Sequence, residues 1–207
     1  MQEVKYRIKN EKNQEIIVYE TYCTISIDAL GFRGENDKSF ADLTQFIHKG
    51  KKIVVVGDKT KYKIKIKISK DDIQNAQFLC DYANEAIEKA HKMQRENWET
   101  ISKKAYSKEN SRLLYTVNGE KYRFDFYDNY LLIENNSSFR EIFYIDVDNI
   151  AFMESTEFKM FNNVIAAKSI KDRAALFGKI LERDIEKAKE AVATVRPLIQ
   201  KIKLGLE

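Results

Sequence analysis

The stretch KYKIKIKIS places Lys61, Lys63, Lys65 and Lys67 at every second position, alternating with Tyr62, Ile64, Ile66 and Ile68. In a strand, alternate side chains share one face and repeat about every 7 Å, close to the spacing of phosphates along a nucleic acid strand. Lys51 and Lys52, across an expected hairpin, widen the row. Such a row attracts phosphate, on nucleic acid or on lipid headgroups. The same row also suits the wet face of a sheet, or an edge strand on which lysine blocks pairing with other sheets. Arginines and exposed aromatics are absent from the row, so it fits charge attraction better than base readout.

A second constellation is acidic. Asp146 and Asp148 precede Glu157 and Lys159 by about ten residues. An Asp followed on the next strand by Glu-x-Lys is an arrangement that can hold a divalent metal and stabilise developing charge, as in a metal-dependent nuclease. A chain rich in Asp, Glu and Lys also meets this pattern by accident. His48 and His91 have no Cys or His at ligand spacing, so neither predicts a metal site. Cys23 lies in an apolar strand and Cys80 on an apolar helix stripe, and both read as core. The glycines do not form a phosphate loop.

These residues must be held by strands and helices, and the pattern along the chain says which. Residues 1–70 read as strands broken by polar or glycine turns, with KKIVVV and KYKIKIKI as a hairpin around GDKT. At Ser69 the apolar period changes from two to about 3.6. Ser69 and Asp72 resemble a capping box, and Ile73, Ala76, Cys80, Ala83, Ile87 and Ala90 form one helix stripe. Strands return after residue 110, where Asn118-Gly119 predicts a tight two-residue hairpin turn with positive φ at both positions. NNVIAAK reads as the last strand. Ser169 and Asp172 then predict a second helix start, with a stripe running from Leu176 through Ile180, Ile185, Ala188, Val192, Val195 and Ile199 to Ile202. Pro197 is expected to kink or weaken that helix.

The halves share a plan of strands followed by one long helix. They also share the pattern aromatic-x-Asp-aliphatic-x-x-apolar, at Phe40, Asp42, Leu43 and Phe46 and at Tyr144, Asp146, Val147 and Ile150. Ser69 and Ser169, and the segments AIEKA and DIEKA, add weaker matches. The expected fold class is α+β: two small antiparallel sheet or barrel domains, each closed by a long C-terminal helix. The boundaries are 1–93 for the first, 94–110 for a helical, charged connector, and 111–207 for the second.

That plan, with the stretch ISIDALGFRGENDKSFADLTQF, resembles the bacterial pleckstrin-homology-like domains, which include GRAM-type modules. The resemblance covers residues 1–93 best. It implies a non-enzymatic binding or scaffolding module for lipid headgroups, peptides or proteins, with no cofactor.

Composition sets the remaining bounds. The 207 residues carry a net charge of +4, with the basic excess in the first half, which is mild for a nucleic-acid binder. Two cysteines are too few for a disulfide scaffold, and no run of about 18 apolar residues predicts a membrane span. A cytoplasmic chain without a secretory signal is expected. The leading expectation for function is protein–protein interaction, with the two helices as docking surfaces and homodimerisation through the C-terminal helix stripe. The alternatives are anionic-ligand binding by Lys51, Lys52, Lys61, Lys63, Lys65 and Lys67, and the nuclease.

Overall fold

The computed structural model describes residues 3–10, 14–29, 32–57, 63–155, 159–172 and 174–206. The chain divides into two compact units, Met1–Glu96 and Asn97–Glu207.

In the first unit, β1 (Tyr6–Lys9), β2 (Glu15–Val18), β3 (Tyr22–Ala29) and β4 (Phe32–Ser39) form an antiparallel meander. A 3-10 turn at Phe40–Asp42 leads into a second meander of β5 (Leu43–His48), β6 (Lys52–Gly57) and β7 (Lys63–Lys67). Helix α1 (Ile73–Ala105) follows. Its residues up to Glu96 belong to this unit and the rest to the second. At its start, Ser69 Oγ accepts a hydrogen bond from the Asp72 amide at 3.2 Å, as a capping residue does.

The second unit repeats the order. β8 (Leu113–Asn118), β9 (Arg123–Tyr127), β10 (Tyr130–Glu134) and β11 (Phe139–Phe143) form one sheet. A 3-10 turn at Tyr144–Asp146 precedes β12 (Val147–Met153), β13 (Val164–Ser169) and β14 (Leu176–Lys179), and α2 (Ile185–Leu204) closes the unit.

The likeness of the units reaches single residues. Both 3-10 turns read aromatic-x-Asp, and both lead into a strand with a register shift just after its first residue, between Leu43 and Gln45 and between Val147 and Asn149. Ala76, Leu79, Cys80, Ala83 and Ile87 on α1 are buried at the same spacing as Ala188, Ala191, Val192, Val195 and Ile199 on α2. Each helix also ties down the first strand of its three-stranded sheet. Asn84 bonds both the amide (2.7 Å) and the carbonyl (3.0 Å) of Phe46, and Lys203 Nζ donates to the Val147 carbonyl at 2.6 Å.

Three expectations are corrected. The strands form four separate antiparallel sheets rather than closed barrels. In the second unit an isolated bridge between Gly119 and Ile180 joins the two sheets at one corner.

The second helix starts at Ile185, not near Ser169. Ser169 and Asp172 instead close the β13–β14 turn: Asp172 Oδ2 accepts from the Ser169 amide at 3.1 Å, and Ser169 Oγ accepts from the Lys171 amide at 3.2 Å. Short hydroxyl and carboxylate side chains satisfy a turn as readily as a helix end, so the motif alone does not choose. Leu176 therefore lies on a strand, and NNVIAAK is not the last one.

The β8–β9 turn is not centred on Asn118-Gly119. Gly119 donates to the Tyr122 carbonyl at 2.7 Å, which places Glu120 and Lys121 at the tip, and neither Asn118 nor Gly119 has positive φ. Helix α2 spans Ile185–Leu204 with Pro197 inside it. Pro197 is exposed, and so is Ala193, whose carbonyl loses its intrahelical donor there.

Candidate functional site

The lysine row sits on the β5–β7 sheet of the first unit. Its register sets Lys52 opposite Lys67, Val54 opposite Lys65 and Val56 opposite Lys63. On the other side of β6, Ile47 faces Val54 and Gln45 faces Val56. Opposed residues of an antiparallel pair point to the same face. One face therefore carries Phe46, Ile53, Val55 and Ile66, all buried in the core. The other carries Lys52, Lys63, Lys65, Lys67, Gln45, Ile47, Val54 and Val56. The lysines and Gln45 are exposed, and the three aliphatics are half-buried.

The alternation of the sequence is thus the alternation of the sheet. Ile64 and Ile66 face inward, where removing apolar surface from water is favourable, and Lys63, Lys65 and Lys67 face outward and are exposed. The result is two adjoining columns about 4.8 Å apart: ammonium groups along β7, and aliphatic side chains along β6 continued by Ile47. Lys52 extends the basic column across the strands. Lys51 is exposed in the β5–β6 connection, where its carbonyl accepts from the Ile68 amide at 3.0 Å. Lys61 lies outside the described residues.

No acidic side chain stands among the described residues of this face, and none of Lys51, Lys52, Lys63, Lys65 and Lys67 makes an ion pair with a described residue. Glu15 is buried and accepts from Arg7 Nε at 2.6 Å, and Asp58 lies outside the described residues. β7 is the last strand of its sheet. Its C-terminal carbonyl, on Lys67, accepts from Asn10 Nδ2 at 2.9 Å.

The structure places the other sequence candidates differently. Asp146 is buried, accepts from Tyr106 Oη at 2.9 and 3.0 Å, and pairs with Lys171 at 2.5 Å. Asp148 pairs with Lys168 at 2.9 Å. Each carboxylate is therefore matched to its own ammonium group. Lys159 is exposed, and Glu157 lies outside the described residues. His48 is spent locally, with Nδ1 3.0 Å from Gln77 Oε1 and Nε2 2.7 Å from the Gly50 carbonyl. Cys23 and Cys80 are buried thiols, and burial raises both pKa values, that of Cys80 to about 12. The α2 stripe offered for homodimerisation packs into the core of its own unit. On α1, Ala76, Cys80, Ala83, Ile87 and Ala90 are buried while Ile73, the first residue of that stripe, is exposed.

Sequence reasoning missed the aliphatic column. Its signal was present in KKIVVV, where Lys52, Val54 and Val56 share a parity, but only the register with β7 shows that this parity is the lysine face. No helix of the described residues is long and apolar enough to cross a membrane. No protein-family profile matches the chain, and no curated protein is similar to it.

Proposed function

We propose that the chain is a non-enzymatic binding protein that holds an anionic partner on the outer face of β5–β7. The observation that carries this reading is the composition of that face: Lys52, Lys63, Lys65 and Lys67 point outward together, with no acid beside them among the described residues. A surface charge of one sign raises the local concentration of an oppositely charged partner and speeds encounter. It also costs stability, because Lys52 and Lys67 face one another directly.

We also read the two units as pleckstrin-homology-like. Support comes from the order of four strands, three strands and a C-terminal helix in each unit. A module of that kind binds rather than catalyses. The buried stripes of both helices face the unit cores, and we place docking on the lysine face.

Retention on a heparin column tests the binding reading. With Lys63, Lys65 and Lys67 all changed to glutamine, the protein is expected to elute at clearly lower salt. Changing Lys121 and Lys179 of the second unit to glutamine is expected to shift elution less. Equal elution of the triple variant and the parent would overturn the assignment of this face.

A further inference from the structure

We infer that the partner on the β5–β7 face is an amphipathic α-helix of another protein, one whose apolar stripe is bordered by acidic residues; this rests on the binding reading above. The face has two kinds of column side by side, and the occupant must satisfy both. Lys63, Lys65 and Lys67 supply positive charge at intervals of about 7 Å along β7. Val54, Val56 and Ile47 supply partly exposed aliphatic surface next to it.

A nucleic acid would use the ammonium column and leave the aliphatic one unmatched. Bases stack on aromatic rings and on arginine planes, and the described residues of this face include neither. An extended acidic peptide lying on the face presents one row of side chains to it and fills one column. A lipid surface calls for bulky apolar groups that reach past the charged heads. The half-buried valines of this sheet sit below the lysine ammonium groups instead.

A helix meets the geometry. Its residues three and four apart line adjoining stripes, so one stripe can be acidic and the next aliphatic. Its diameter of about 10 Å matches the width of the three strands. Acids at i and i+4 advance about 6 Å along the axis, and flexible lysine stems take up the remaining difference from the strand repeat.

The test uses the full chain and a synthetic helix of about 18 residues, five turns long, with leucine along one stripe and glutamate along its flank. A scrambled peptide of the same composition, an oligothymidylate and phosphatidylglycerol vesicles are measured beside it. The designed helix is expected to bind at least about tenfold tighter than the scrambled peptide. Val54→Thr with Val56→Thr keeps shape and charge but removes two methyl groups from the aliphatic column. It is expected to weaken helix binding about tenfold and to leave heparin retention unchanged. Thiol protection of Cys80 confirms that this variant is folded. Equal binding of the scrambled peptide, tighter binding of the oligothymidylate or the vesicles, or unchanged helix affinity in the valine variant would each overturn the inference while sparing the charge reading. Heparin retention that ignores the lysine-to-glutamine changes would overturn the charge reading itself.

Discussion

Gly119 bridges Ile180, and a Cβ placed on Gly119 would stand 2.5 Å from the carbonyl oxygen of Lys179. The same corner is tied by the Glu120 amide, which donates to that carbonyl at 2.8 Å. Gly119 is therefore required for a close backbone approach and not for a left-handed turn. Gly50 is the opposite case: its φ is +55°, and a Cβ there would meet nothing within 4 Å. Gly119→Ala is expected to destabilise the second unit by about 1–3 kcal/mol through overpacking against backbone. Gly50→Ala is expected to cost the first unit about 1–2 kcal/mol through conformation alone. Gly50→Asn should recover part of the loss, because asparagine tolerates the left-handed region, whereas Gly119→Asn should recover none. Urea unfolding of the four variants checks both halves of this prediction.

These glycines also mark what the sequence discloses and what it withholds. The aromatic-x-Asp pattern shared by Phe40–Asp42 and Tyr144–Asp146 is legible because each copy is set by residues adjacent in the chain, but that each copy is a 3-10 turn breaking a strand run is not. The inward stripe from Ala76 to Ile87 is legible for the same reason, since its period is local. Gly119 is misread because its true constraint, Lys179, lies sixty positions away in the chain. Ser169 is misread because one pair of polar side chains serves a turn and a cap alike. The lysine row is visible at once, yet its aliphatic neighbours emerge only from the pairing of Val54 with Lys65 and Val56 with Lys63.

The face assigned to binding should be paid in stability at Lys67. Lys52 lies directly across from it, and like charges at that spacing repel. Lys67→Glu turns the pair attractive and is expected to raise the stability of the first unit by about 0.2–1 kcal/mol at low salt. Added salt should erase most of the gain, because screening acts on exposed charges. Heparin retention of the same variant should fall. A variant that gains stability and keeps its retention would separate Lys67 from the binding face.

The second unit should lose stability in alkali. Burial raises the Tyr130 pKa to about 12. Burial and then the hydrogen bond to Asp146 raise that of Tyr106, and the bond to Asp146 raises that of Lys171. All three groups hold their protons to higher pH in the folded chain than in the unfolded one. Their contribution is therefore complete below the unfolded values, about pH 10, and is lost as pH rises through the folded values. The urea midpoint is expected to be flat from about pH 8 to 9.5 and to fall between about 10 and 12. Tyr130→Phe, which cannot ionise at that position, should reduce the slope in that window. An unchanged slope would remove Tyr130 from the account.

Both cysteines lie in the first unit, and their burial makes them reporters of its opening. Cys23 is 0% and Cys80 2% exposed, and burial holds both thiols protonated at neutral pH. A thiolate is the species that reacts with a disulfide reagent, so the native thiols are expected to be silent at about pH 8 and to label only through opening. Ile87 is buried on α1 among the residues that cover this core. Ile87→Ala is expected to cost about 2–5 kcal/mol, which multiplies the open population roughly thirtyfold or more and speeds labelling in proportion. Ile199 holds the matching position on α2 and packs into the core of the second unit. Ile199→Ala should cost that unit a similar amount and leave the labelling rate close to the parent's. Equal acceleration by both substitutions would mean that the two cores open as one cooperative body, and the description of the chain as two separately packed units would then fail.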